Sequence, residues 1–205
     1  MPSTYQELKD AVLAFSNSQV IEQSIDTFID LCEADMSRRI RHWRMEKRST
    51  ADLDTQYTSL PTDFYEPVRM SITSGDTYVL EAADTQMIAK ERQRVSNATN
   101  RPRLFSIIDG TIEVWPNPDA TYTLEMVYVS KIDALSSSNT SNWVLQYFPD
   151  TYLYGTLLHA APFLGEDQRL PVWSSLYDKA VEAINQDNEN AKFGSASLRL
   201  KIRSY

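Results

Sequence analysis

The chain is poor in the side chains from which reactive centres are usually built: its 205 residues include one cysteine, two histidines and five glycines. A lone Cys32 excludes an intrachain disulfide framework and a paired-thiol metal site, and its apolar and acidic neighbours in a helical pattern predict a small buried side chain. There is no His-Glu-x-x-His pair, no Cys-x-x-Cys, no glycine-rich phosphate loop and no Gly-x-Ser-x-Gly elbow. The sequence therefore nominates no catalytic residue, no metal ligand and no cofactor, and a non-enzymatic protein is expected. No apolar run reaches the roughly 18 residues that a membrane span needs, and the N-terminus lacks the basic-then-apolar layout of a secretory signal. Synthesis in the cytoplasm without a membrane partner is the corresponding expectation. Basic residues are the minority, 20 against 28 acidic, for a net charge of −8. That balance argues against a surface that grips nucleic acid throughout, because phosphate binding needs a positive field at the contact.

Charge placement says more than the total. Residues 1 to 37 carry seven carboxylates and one lysine, whereas Arg38, Arg39, Arg41, Arg44, Lys47 and Arg48 follow within eleven positions. Ile21, Ile25, Phe28, Ile29, Cys32, Met36, Ile40 and Trp43 recur at helical spacing through the same region, so one long helix is predicted, acidic at its start and basic at its end. The helix dipole favours that polarity, with cations near the last turn worth roughly 0.3–1 kcal/mol each. Six basic residues exceed what a helix end requires. Some of them are therefore candidates to meet a partner carboxylate or a DNA phosphate.

Before that helix, Ser3 or Thr4 can cap a short amphipathic one bearing Leu8, Val12 and Phe15, which Ser16-Asn17-Ser18 ends. After it the pattern turns to strands. Leu60-Pro61-Thr62-Asp63-Phe64 reads as a turn into a strand at Val68 to Thr73, and Ser74-Gly75-Asp76 suits a hairpin before Tyr78 to Leu80. Asp84 or Thr85 can cap a short helix to about Arg94, followed by a polar loop from Ser96 to Asn100. Leu104 to Ile108 and Ile112 to Trp115 flank Asp109-Gly110, the strongest hairpin signal in the chain. Tyr122 to Ile132 alternates as a further strand, which predicts a meander. Trp143 to His159 then reads as helix broken at Pro149, with another from about Pro171 to Lys192.

The predicted class is α+β: a helical bundle from N- and C-terminal helices, a central antiparallel β-sheet insertion and an extended C-terminal tail. A single domain over 1–205 is expected, with 1–47 and 141–193 helical, 48–135 mainly β, and 194–205 an arm. In that arm Leu198, Leu200 and Ile202 alternate with Arg199, Lys201 and Arg203 before Tyr205, the pattern of a strand or arm that a neighbour accepts.

Three constellations deserve weighing as chemistry. His42 stands among arginines that would depress its proton affinity, and His159 lies on a packed helix, so both read as structural. Glu166 and Asp167 could flank a glycosidase cleft, but they fall in an exposed inter-helix turn, which disfavours a cell-wall hydrolase. Trp143, Tyr147, Tyr152 and Tyr154 crowd the break at Pro149, where a core cluster or an oligomer interface accounts for them better than base stacking does.

Taken together, Leu60 to Phe64, Arg101-Pro102-Arg103 before Leu104 to Ile107, Ile112 to Pro118, Leu124 to Tyr128, Asn142 to Leu145, Phe148 to Gly155, Ala160 to Leu164 and the helix around Trp173 resemble a known family. Tyr5-Gln6-Glu7-Leu8 also fits. The family is the adaptor proteins of tailed-phage head-to-tail connectors, similar to those of podovirus-like portals. The resemblance implies a structural virion protein, commonly a ring of twelve copies, that docks on the portal and receives tail or nozzle proteins. Genomic DNA would pass through its lumen without sequence-specific binding. Partner contacts, to portal or neighbouring subunit, are expected from Arg38, Arg39, Arg41, Arg44 and Arg48 and from Leu198, Arg199, Leu200, Lys201, Ile202, Arg203 and Tyr205. Two other readings stay open: a stopper or tail-completion protein, and a nucleic-acid-binding module in which Arg38 to Arg48 join Lys90, Arg92, Arg94, Arg101 and Arg103.

Overall fold

The computed structural model describes residues 1–95, 98–165 and 168–193. Two compact units make up the chain, one from residues 1–44 and 132–205, the other from 45–131. The class is α+β, with the strands confined to the second unit. Parts of three sequence expectations lie outside the described residues: the loop positions Ser96 and Asn97, the turn residues Glu166 and Asp167, and the whole arm 194–205.

The first unit is helical: α1 (Tyr5–Ser16), α2 (Ile25–Arg39), α4 (Trp143–Tyr147), α5 (Pro149–Leu164) and α6 (Leu170–Phe193), with α3 (Thr85–Arg94) belonging to the other unit. Thr4 caps α1 by accepting the Glu7 N–H, while the Ser3 N–H and hydroxyl both donate to Glu7 Oε2 at 2.8 Å, a reciprocal arrangement that satisfies the first turn. Asn17, in the left-handed region at φ 53°, ends the helix. Phe28, Ile29, Cys32 and Met36 of α2 are buried, as are Tyr152, Leu157 and Ala160 of α5 and Trp173, Tyr177, Val181 and Ile184 of α6. Recurrence at three, four, seven or eight residues puts each set on one face of its helix, which lets the three helices share one apolar seam.

Glu33 lies within this core at 6% exposure. Its Oε1 accepts the Leu135 N–H and the Tyr152 hydroxyl, each at 2.8 Å, and Asn142 Nδ2 donates to the Tyr152 oxygen at 2.6 Å. Burial, with the charge of Asp30 adding to it, pushes the carboxyl up to about 7 against the opposing effect of those two donors.

In the second unit β1 (Glu46–Leu53), β8 (Tyr122–Ser130), β3 (Phe64–Ile72) and β4 (Tyr78–Val79) form one four-stranded sheet in the order β1-β8-β3-β4. Another sheet runs β2 (Tyr57–Ser59), β7 (Thr111–Trp115), β6 (Leu104–Ile108), β5 (Glu81–Ala82), and α3 (Thr85–Arg94) follows β5. Asp109 and Gly110 take φ of 43° and 73°, so the expected Asp-Gly hairpin forms between β6 and β7. The meander does not. Instead of continuing beside β7, β8 crosses to the other sheet and pairs antiparallel with both β1 and β3. Its alternate residues Leu124, Met126 and Tyr128 thereby join Leu53, Met70, Ile72, Phe105, Ile112 and Val114 in one core to which both sheets contribute. Closing that core buries apolar faces of both sheets, which a flat three-stranded meander could not do. Pro67 falls at a register shift in β3, at a point where only β8 is hydrogen-bonded to the strand.

Candidate interaction surface

The basic run 38–48 does not lie on one helix. It ends as helix at Arg39, and Ile40 is extended. The cause is tertiary: Asn185 Oδ1 of α6 accepts the Arg41 N–H at 3.1 Å and Asn188 Oδ1 accepts the Trp43 N–H at 2.8 Å, so both donors are satisfied outside a helix. Arg41 then caps the helix it left, its Nη1 donating to the carbonyls of Ser37 at 2.9 Å and Ile40 at 2.7 Å. Lys47 and Arg48 pass into β1 of the other unit.

The arginines of the run meet different fates. Arg39 reaches Asp178 of α6 at 2.6 Å and Asp35 at 3.5 Å, over the Tyr177 ring, whose hydroxyl also donates to Asp35. Arg38 sits on the surface 3.3 Å from Asp35. In the strand unit, Lys47 pairs with Asp63 at 2.8 Å, and Arg48 approaches Glu125 at 3.5 Å beside the closer Arg69. Arg44 is held otherwise. Its guanidinium carbon lies 4.4 Å from the Trp43 ring centroid and 4.2 Å from that of Tyr147. Both rings are largely open, at 40% and 53% exposure.

His42 supports this corner from beneath. Its ring stacks on Trp143 at 4.8 Å, Nε2 meets Asp187 at 3.1 Å, and Nδ1 accepts the Arg44 N–H. Burial lowers its proton affinity, Asp187 works against that, and Arg44 adds a smaller depression. The sequence expectation named the arginines as the cause, whereas desolvation is the larger one. His159 is likewise lowered by burial. Tyr152 is fully buried, so the aromatic group around Pro149 divides between core and surface.

The second basic set is also dispersed. Arg92 bonds Glu113 at 2.6 Å, and that carboxylate, 4% exposed, also accepts from Gln56 and from the buried Ser106 hydroxyl. Burial pushes the Glu113 carboxyl up, but Arg92 and Gln56 outweigh it and hold it below the ordinary range. Arg94 pairs with Glu91, and Arg101 with Asp76. Lys90 and Arg103 are exposed. An open recess of about 800 Å³ collects Arg94, Arg101 and Arg103 with Tyr78 and Trp115, but Asp76, Glu81 and Glu91 line it as well and offset the field a phosphate would need. Among the described residues no group of three or more His, Cys, Asp or Glu is placed to hold a metal, and no helix is long and apolar enough to cross a membrane.

The Arg92–Glu113 pair gives a direct test of the strand unit. Arg92→Met is expected to destabilise it by about 2–3 kcal/mol in urea unfolding followed at Trp115, because a buried carboxylate is left unpaired; the lower end of the usual range applies to a partly exposed arginine. Adding Glu113→Gln should recover a large part of the loss. Full stability of the single variant would show that Gln56 and Ser106 suffice.

Open aromatic rings around a clamped arginine are of the residue types that protein contact surfaces favour. The class the fold defines is an α+β protein with a helical unit and a two-sheet unit. The family model described as SU10 adaptor protein matches residues 3–200, and the chain belongs to that family of phage adaptor proteins, whose members are structural. No curated protein matches it.

Proposed function

We propose that the chain is a head-to-tail adaptor of the virion: it forms a ring, docks on the portal, connects it to the tail and leaves a channel for DNA. The observation that carries this reading is the family match over nearly the whole chain. Two further features support it. The chain divides into two compact units, each with buried apolar residues of its own, which supplies separate surfaces for two partners. A net charge of −8 also discourages duplex from adhering as it moves past. In this reading the ring has twelve copies, Arg38, Arg39, Arg41, Arg44 and Arg48 lie at contacts with portal or neighbour, and the arm 194–205 reaches an adjacent subunit through Leu198 to Arg203 and Tyr205. Such subunits can remain monomeric until the portal templates the ring, since association follows mass action.

Light scattering behind size exclusion tests it, on the chain alone and after mixing with the phage's portal. The expected result is a monomer alone and a complex of fixed, symmetric stoichiometry with portal. A chain lacking 194–205 should fold but fail to join. Failure of the full chain to bind portal would sink the adaptor reading, and normal assembly of the truncated chain would remove the arm from it.

A further inference from the structure

Of the arginines in the 38–48 run, Arg44 is the exception. Arg38, Arg39 and Arg48 face carboxylates, and Arg41 faces backbone carbonyls. No carboxylate pairs with Arg44 among the described residues, and its buried Nε has no hydrogen-bond partner there. The cation is nevertheless fixed in place by Trp43 and Tyr147, with its backbone tied to His42. An arginine held in this way has already lost most of its side-chain freedom, so pairing it with an anion costs little further entropy. Its planar fork suits a carboxylate in particular.

The complementary charge lies before and within the first half of α2, whereas Arg44 follows the end of that helix at Arg39. A short 3-10 turn, Glu22–Ser24, leads into α2, and Glu22, Asp26 and Asp30 recur four residues apart, all exposed. Asp26 is taken by Lys9 and the Tyr5 hydroxyl, whereas Glu22 and Asp30 have no ion-pair partner among the described residues. One chain therefore carries a clamped cation without a carboxylate and two exposed carboxylates, Glu22 and Asp30, without a cation, and they are not paired with each other among the described residues.

We infer that Arg44, clamped by Trp43 and Tyr147, accepts a carboxylate from the Glu22–Asp30 row of a second copy of this chain, in a head-to-tail contact. Two different patches meet in such a contact, and a repeated head-to-tail contact gives a ring when its rotation closes. The inference rests on the adaptor reading above and names the surfaces through which neighbouring copies meet. Charge complementarity within the chain selects a second copy over DNA. A duplex is held by several phosphate contacts at once, and the arginines nearest Arg44 in sequence are already engaged.

The test is assembly on the portal, read by light scattering, with circular dichroism to verify folding. Arg44→Glu is expected to weaken copy-to-copy association at least tenfold, and Arg44→Glu combined with Glu22→Arg and Asp30→Arg should restore it, because every contact again joins opposite charges. A second measurement leaves Arg44, its two rings and both carboxylates in place. Gln146→Cys with Thr27→Cys, exposed positions beside those groups, in one chain oxidised after assembly, should give a ladder of covalent multimers that neither single variant gives. The native Cys32 is fully buried and should not contribute. Assembly of Arg44→Glu at the wild-type level, failure of the charge swap to restore it, or absence of the ladder in assembled connectors would overturn the contact. So would loss of duplex retention by Arg44→Glu with assembly unchanged. If the wild-type chain itself never assembles, the adaptor reading falls, an outcome distinct from the failure of these variants alone.

Discussion

Replacing Gly155 by alanine is expected to destabilise the helical unit by about 2–3 kcal/mol, although alanine is by far the better helix former. A Cβ at this position would collide with the Cys32 sulfur of α2 and lie 2.8 Å from Cε2 of Tyr177 on α6. Neither neighbour can yield. Cys32 and Tyr177 are both buried, and the Tyr177 hydroxyl is tied to Asp35 at 2.8 Å. Alanine gains about 1 kcal/mol of helix propensity over glycine, whereas forcing a methyl into a closed core costs about 1–3 kcal/mol and sometimes more. Two contacts under 3 Å put this site at or beyond the upper end, so overpacking wins. Urea unfolding followed by far-ultraviolet circular dichroism measures it. A stabilised Gly155→Ala would mean that α2 and α6 separate easily, and would contradict a three-helix seam at this point.

The second large effect is a pH dependence centred on Glu33. Its folded carboxyl titrates at about 7, above the 4.5 of an unperturbed glutamate. Between those values the folded chain holds a proton that the unfolded chain has released, so stability falls as pH rises. The contribution is fully present below about pH 4.5 and is lost as pH passes through 7. Its size is on the order of 2–3 kcal/mol, from 1.36 kcal/mol for each pH unit of the gap, taken conservatively. Glu7, Asp26, Asp63 and Glu113 are all held below the ordinary range and act in the opposite sense, losing stabilisation as pH falls through acid values. The windows are therefore separate. Glu33→Gln keeps an acceptor for the Leu135 N–H and the Tyr152 hydroxyl while removing the charge. It should be more stable than the wild type at pH 8, by roughly 2 kcal/mol, and nearly equal to it at pH 5. Parallel stability profiles for the two proteins between pH 5 and 8 would show that the Glu33 carboxyl ionises in the folded chain at the same pH as in the unfolded one, and would remove the raised titration.

Local signals were legible where chain neighbours decide the structure. The left-handed residues of the Asp109-Gly110 turn, the Thr4 cap, the break at Pro149 and the alternation of Leu124, Met126 and Tyr128 are each fixed by backbone sterics or a period of two or 3.6, and each appears at its expected place. The family, too, was carried by such punctuation, since no single motif in it is chemical. Arg38, Arg39, Arg41 and Arg44 stay together in the helical unit as a sequence neighbourhood must, while Arg48 leaves for the strand unit.

What the tertiary structure alone decided lies at long sequence separation. Periodicity carried Ile40 and Trp43 into a long helix, because both are apolar at the right spacing. Asn185 and Asn188, more than 140 positions away, end that helix by offering its next N–H groups other acceptors. Strand order was undecided for the same reason: alternation specifies which face of β8 is buried but not against which strands, and the choice of β1 and β3 depends on closing a core shared by two sheets. The pairing of each arginine is also beyond the sequence, since identical side chains ended beside carboxylates, carbonyls or aromatic rings according to what α6 and α4 brought to them. Sequence by itself determined the elements, the class and the scarcity of reactive side chains, because those follow from composition and local geometry. Folding in three dimensions determined which charges are spent internally and which one, Arg44, is left clamped without a carboxylate among the described residues.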